Sequence, residues 1–215
     1  MVKAYINKII DSSGVDGPGN RTAIFFQGCN FNCKYCHNPE TINHCIHCKL
    51  CVDICPYEAL GVSNNKVVWD EDKCEECDSC IKGCPYNSSP KVFHMTLDEL
   101  AIRIKKNIPF IRGITCSGGE CTLQYKFIQE LFKFTSQMGI TNLLDTNGTM
   151  DFSQHRELLN VTHGVMLDIK AWDSSIHKEL TGWSNEMVLE NSIFLAKQGK
   201  LVEIRTVVIE SYLNN

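Results

Sequence analysis

Eleven of the thirteen cysteines of this 215-residue chain fall in the stretch from Cys29 to Cys84, and no ordinary apolar core needs so many thiols so close together. The spacing Cys45-x2-Cys48-x2-Cys51-x3-Cys55-Pro56 returns 29 residues later as Cys74-x2-Cys77-x2-Cys80-x3-Cys84-Pro85. Such an internal repeat marks an inserted module, 44–90, between a first segment, 1–43, and a remainder, 91–215. Disulfides would suit a small exported domain. This chain is long enough for one sizeable core plus a small module, and its start, MVKAYINKIIDSSG, lacks the apolar run of a signal peptide. Metal ligation in a reducing, cytoplasmic compartment is the better reading. A net charge of −4 gives no reason to expect nucleic acid as a partner, and no stretch reads as a membrane span.

A run of C-x2-C-x2-C-x3-C-P is the pattern of bacterial two-cluster ferredoxins, in which the fourth cysteine ligates the other cluster. Applied to the module, Cys45, Cys48, Cys51 and Cys84 hold one [4Fe–4S] cluster. Cys74, Cys77, Cys80 and Cys55 hold the second. Zinc sites use two separated C-x2-C pairs and fit these triple runs less well. Six acids (Asp70, Glu71, Asp72, Glu75, Glu76, Asp78) crowd the second run, where they either lower the cluster's reduction potential or form a solvated face. His44 and His47 read as surface residues.

Outside the module, strand-like and helical runs alternate. The strands are AYINKI, TAIFFQ (22–27), GITCS (113–117), NLLDT (142–146), GVMLDI (164–169) and VEIRTVVI (202–209). Thr96-Leu-Asp-Glu99 is a capping box opening a helix through about Lys106. Phe127, Leu131, Phe134 and Met138 share one face of the next helix, and further helices are expected near 151–160 and 185–198. Strand–helix alternation implies an α/β fold with a parallel sheet and right-handed crossovers. Five or more such strands make an open or partial (βα) barrel.

Residues 28–37, GCNFNCKYCH, carry a third set of thiols, Cys29, Cys33 and Cys36. Eight cysteines satisfy the module, so this triad lacks a fourth ligand. Cys116, Cys121 and His37 are candidates, although free cysteines are usually small buried residues; the alternative is an iron left open for a small molecule. Four polar motifs stand at the ends of four successive strands: GCNFNCKYCH, SGGEC, DTNG and DIK. In a parallel barrel those ends share one rim, where sites are built.

The triad with Tyr35 before its third cysteine, followed by GGE, resembles the radical S-adenosylmethionine (SAM) superfamily. DGPGNR (16–21), CxxxCxxCHNPE (29–40), SGGECTLQ (117–124), LDTNG (144–148), MLDIK (166–170) and HKELTG (177–182) are similar to its glycyl-radical-enzyme activating enzymes. The insert places the resemblance in their ferredoxin-bearing branch, and KVVW (66–69) with FIRGITCSGGE (110–120) resembles the YjjW-type activases. The resemblance implies three [4Fe–4S] clusters, the one at Cys29, Cys33 and Cys36 coordinated at its open iron by SAM. It implies that one-electron cleavage of SAM gives a 5′-deoxyadenosyl radical that takes hydrogen from a glycine of a partner glycyl-radical enzyme, with a flavodoxin- or ferredoxin-type electron donor. It places Tyr35, Cys36 and His37 at the adenine, Gly118 and Gly119 against the methionine moiety, and Glu120 at its ammonium. Asp168, Ile169 and Lys170 fall at the ribose and carboxylate, with Lys170 counted among the catalytic groups. Asp145, Thr146, Met166 and Asp168 match the holders of a monovalent cation. His177 is expected to order a helix. Members of the family continue beyond RTVVIESYLNN with another helix and a sixth strand, so C-terminal strands are expected to be missing, VEIRTVVI to form an exposed edge, and this form to self-associate.

Overall fold

In a computed structural model, which describes residues 3–209, the chain begins with two antiparallel strands, β1 (Ala4–Ser13) and β2 (Arg21–Phe26). The module follows, with a hairpin of β3 (Leu60–Ser63) and β4 (Lys66–Trp69) and one helical turn, α1 (Ser79–Lys82). Then come β5 (Phe93–Met95), α2 (Leu97–Asn107), β6 (Gly113–Gly118), α3 (Tyr125–Gln137) and β7 (Thr141–Thr146). The chain continues through α4 (Arg156–Val161), β8 (Gly164–Asp168), α5 (Ser174–Thr181), α6 (Glu186–Lys197) and β9 (Leu201–Arg205). The sheet order is β5-β1-β2-β6-β7-β8-β9. From β2 to β9 every neighbouring pair is parallel, so the C-terminal ends of these five strands form one rim.

Strands β6, β7 and β8 are buried along almost their whole length, as expected where both faces of a parallel sheet are covered. Ile24, Phe26, Ile114, Leu144 and Val165 of the sheet pack with Leu100, Ile104, Ile128, Leu131, Phe132, Leu158 and Leu195 of the helices. The Thr96 capping box is formed, its hydroxyl accepting from the Glu99 amide. In α3 the buried stripe is Phe127, Ile128, Leu131, Phe132 and Thr135. Phe134 and Met138, expected on that face, are only half-buried, and the Phe134 ring carries the Lys105 ammonium 5.4 Å from its centre. β9 stops at Arg205, short of the expected 209, because its partner β8 ends at Asp168, which pairs with Arg205. The expectation of strands missing beyond β9 concerns positions from 210 on, which lie outside the described residues.

The opposite rim is closed by Arg21, the first residue of β2. Its guanidinium is 1% exposed and donates to Thr115 Oγ1 (2.8 Å), Ile114 O (2.7 Å), Thr141 O (3.0 Å), Thr141 Oγ1 (3.0 Å) and Pro18 O (3.2 Å). The DGPG turn before it tucks Gly17 under the sheet, where a Cβ would stand 2.8 Å from Leu143 Cδ1. DGPGNR is therefore a structural motif at the end of the sheet away from the cysteine rim.

Candidate functional site

The rim holds a cavity to which four strands contribute. The loop after β2 brings Cys29, Cys33 and Cys36 with Tyr35 and His37; β6 ends in Ser117, Gly118 and Gly119; β7 gives Asp145 and Thr146; β8 gives Asp168, followed by Lys170. Val207, beyond β9, closes the far side. The cysteine loop is held from two directions. The Gly28 and Cys29 amides donate to Thr41 O (2.8 Å) and Ile42 O (2.9 Å). The Asn32 and Lys34 amides donate to Thr181 O (3.0 Å) and Leu180 O (2.9 Å), carbonyls at the end of α5. A helix leaves its last carbonyls without intrahelical partners, and here two of them receive the loop. This is the work of the HKELTG stretch: His177 is buried, with Nδ1 2.9 Å from Trp183 O, and its ring meets Phe31 edge-on.

Burial pushes the Cys29 thiol up to about 12 and the Cys33 thiol up to about 11, and it raises Cys36 too. Thiolates here need a positive centre to compensate them, as a metal does. Burial lowers the ammonium of Lys170, but Asp168 at 2.7 Å more than offsets it and holds the pKa above the ordinary lysine range. Burial and the charge of Asp168 push the Asp145 carboxyl up to about 6. Asp145 accepts from Ser117 Oγ through Oδ2 (2.9 Å), while its Oδ1 is buried without a partner among the described residues. An orphaned carboxylate oxygen on a cavity wall is a ready acceptor for a cation or a ligand donor.

The family model of the radical SAM superfamily matches residues 23–212. The choline trimethylamine-lyase activating enzyme of Oleidesulfovibrio alaskensis is 34% identical over 224 residues, covering 94% of this chain and 71% of that protein. The trans-4-hydroxy-L-proline dehydratase activating enzyme of Clostridioides difficile is 32% identical over 210 residues, covering 90% and 70%. The chain belongs to the radical SAM superfamily, among its glycyl-radical-enzyme activating enzymes. It spans 47% of a Haemophilus influenzae relative that it matches at 33% identity. In fold it is similar to QueE from Escherichia coli, with TM-score 0.53 and 14% identity over 99% of this chain and 87% of that one.

Several of the residues expected at this cavity are placed differently by the structure. Glu120 does not line the cavity. It is 1% exposed, and its carboxylate accepts from the Thr122 amide (2.9 Å), Thr122 Oγ1 (2.5 Å), Thr146 Oγ1 (2.8 Å) and the Asn147 amide (2.7 Å). Four donors of its own chain saturate the group assigned to the SAM ammonium, and they tie the β6 loop to the DTNG turn. Gly118 and Gly119 line the cavity, yet their missing side chains answer to the neighbouring backbone. A Cβ would stand 2.2 Å from the Phe26 nitrogen at Gly118 and 2.3 Å from Gly28 O at Gly119. Ile169 points into a core cluster with Phe31, Leu167 and Val188. Cys116 and Cys121 are fully buried and absent from the cavity wall, whereas His37 lies on it.

Of the four residues matched to a cation, Thr146 spends its hydroxyl on Glu120. Asp145 and Met166 instead face Arg205, whose Nη1 is 3.3 Å from Asp145 Oδ2 and whose Nη2 is 3.2 Å from Met166 Sδ. Sequence reasoning missed Arg205; as the last residue of the last described strand, it held the rim position that the other strand ends had flagged.

In the module, one cavity is walled by Cys45, Cys48, Cys51 and Cys84 and another by Cys55, Cys74, Cys77 and Cys80. None of the thirteen cysteines forms a disulfide. Among the described residues no three His, Cys, Asp or Glu side chains converge on a single-ion site. Among the described residues, eight other than glycine have a left-handed backbone, and all eight lie in the module. Asn64 and Asn65 form the hairpin turn. The other six pair at the repeat distance: His47 (φ 57°) with Glu76 (49°), Lys49 (71°) with Asp78 (59°), and Glu58 (51°) with Asn87 (48°). The sequence repeat is thus also a conformational repeat, and each left-handed residue carries a backbone cost.

Proposed function

We propose that this chain is an activase that cleaves SAM reductively at the Cys29–Cys33–Cys36 rim and installs a glycyl radical on a partner glycyl-radical enzyme. One observation carries the reading: a three-thiol loop opens into the same cavity as the Ser117–Gly119 backbone, Asp145 and the Asp168–Lys170 pair. Cys29, Cys33 and Cys36 would hold a [4Fe–4S] cluster there, and bound it would supply the one electron that cleaves SAM to methionine and a 5′-deoxyadenosyl radical able to take a hydrogen atom from the partner's glycine. The protein's own part is to position and shield. Tyr35 and His37 wall the adenine side, Lys170 and Asp168 meet the polar groups of the cofactor, and Asp145 with Arg205 sets the charge beneath them. Glycine suits the partner's role because flanking peptide groups delocalise its radical and no side chain obstructs the approach.

The two four-cysteine cavities support a ferredoxin-like module, 44–90, with two further [4Fe–4S] clusters fed by a flavodoxin- or ferredoxin-type donor. The repeated left-handed turns support it too, since successive backbone amides in such turns form anion-binding hollows. We read the sheet as a partial barrel. The test is anaerobic reconstitution: about twelve irons per chain, four for each cubane, and release of methionine and deoxyadenosine under dithionite. Cys33→Ala should lose about four irons and all deoxyadenosine formation. Continued cleavage by Cys33→Ala would sink the assignment, and an iron-loaded wild-type chain that never cleaves SAM would be an electron carrier instead.

A further inference from the structure

Two cysteine cavities raise the question of which one faces the rim. The segment leading into the module answers it. Gly28 and Cys29 run alongside Thr41 and Ile42 through two amide–carbonyl bonds of 2.8 and 2.9 Å. Three residues after Ile42 comes Cys45, a wall of the first cavity. The intervening His44 lies against Gly28, where a Cβ would meet its Nε2 at 3.1 Å, and its ring stands edge-on to Tyr5 with centroids 5.1 Å apart.

The other end of the module is fixed at the same place. Asn43 donates to Asn87 O from its amide and to Tyr86 O from Nδ2, both at 3.0 Å, and it bridges Ser88 as a strand pair. Cys84, in the first cavity with Cys45, is thereby brought near the same junction. The buried Gln27, one residue past β2, donates to Asn43 O at 2.6 Å and locks the junction to the rim. The second cavity is placed differently. Its Cys74 shares a cleft with Asn7, Lys8 and Ile9 of β1 and with Glu40, but its four cysteines lie 13 or more residues along the chain from Ile42, so among the described residues no equally short bonded path joins them to the Cys29 amide.

We propose that the Thr41–Cys45 segment, with His44 seated on Gly28, is the electronic junction between module and rim. The set Cys45, Cys48, Cys51 and Cys84 is then the inner station and the set Cys55, Cys74, Cys77 and Cys80 the outer one. The inference rests on the three-cluster reading above. Electron tunnelling falls off exponentially with separation and decays more slowly along covalent and hydrogen bonds than through space. The path from Cys45 along three peptide units to Ile42 O and across one hydrogen bond to the Cys29 amide is short and bonded throughout. One electron leaves a reduced low-potential donor protein, passes the outer set, the inner set and this junction, and is consumed in breaking one carbon–sulfur bond of SAM. No proton moves along the way.

The test uses the full reconstituted chain, its Cys48→Ala and Cys77→Ala variants, and EPR of the dithionite-reduced state. Both thiols are exposed, so each variant removes one ligand at the module surface. Magnetic coupling from the inner cluster should broaden the signal of the rim cluster. Cys48→Ala should sharpen that signal and Cys77→Ala should leave it broad. The converse pattern, or a rim signal unaffected by either change, overturns the assignment. Wild-type protein with only about four irons overturns the three-cluster reading and this order with it; twelve irons with the converse pattern overturns the order alone. Should Cys48→Ala lose both module clusters, His44→Ala keeps every ligand. Freeze-quench EPR should then show slower reduction of the rim cluster by a protein donor at unchanged iron content and potentials, and an unchanged rate overturns the junction.

Discussion

Glu120 shows how a residue in a recognisable motif can serve the frame around a site. Burial holds its carboxyl above the usual range even against four hydrogen bonds, and all four donors belong to the β6 and β7 loops. Glu120→Gln keeps the shape and turns one acceptor into a donor facing donors. Apo protein carrying it should lose about 2 kcal/mol of unfolding free energy, the cost of a buried polar mismatch, measured by urea titration without SAM or clusters. Unchanged apo stability with weakened SAM binding would return Glu120 to the role of a direct ligand. Sequence could not separate these roles, because GGE looks the same whether its carboxylate faces the cavity or the loop behind it. Arg205 was illegible for the opposite reason: its importance comes from Asp145 and Met166, which are distant in sequence and meet it only when β7, β8 and β9 align.

At the scale of elements, alternation and capping carried most of the information. All six strand-like runs outside the module form strands, and Thr96 opens its helix where the capping box says it should. The differences arise where tertiary pairing decides. β1 runs on to Ser13 because β2 lies beside it as far as Arg21. The three-residue β5 is too short to show a period and exists through pairing with β1. α5 was expected only through His177, and its bounds, Ser174–Thr181, were hidden in the HKELTG motif. The end of the sheet held by Arg21 allows a prediction of its own. Arg21→Met would leave the carbonyls of Ile114 and Thr141 buried without their donor, at about 3 kcal/mol or more. The thermal midpoint should fall by several degrees while the three-thiol loop, at the other rim, still takes up its cluster once the protein is folded. Arg21→Lys keeps the charge but loses the fork of donors, and should fall between. A midpoint unchanged in Arg21→Met would show that these bonds add nothing to stability.

Considered whole, the molecule separates durable and chemical ends along one sheet: Arg21 and the DGPG turn close one rim, while thiols, carboxylates and Lys170 gather at the other. The chemical end was legible from the strand-end motifs, since a parallel sheet sends every C-terminal end the same way; the part of Arg21 was not, because DGPGNR read only as a family motif. The location of the module's two cavities was foreshadowed by the cysteine spacing, whereas its attachment was not, because Asn43 and Ser88 are 45 residues apart. Their strand pairing has a consequence for how such a chain is assembled over generations or at the bench. Where a module enters and leaves through adjacent backbone, roughly 5 Å apart as paired strands are, the host sees only a closed loop, whatever hangs from it. Replacing residues 44–87 by a short glycine linker should therefore leave a folded chain with a native-like circular dichroism spectrum. It should carry about four irons and still cleave SAM with dithionite, while failing with a protein donor. Collapse of the shortened chain would mean that host and module fold as one body. Survival would make the module a portable cartridge, open to exchange for another of different redox range without redrawing the catalytic rim.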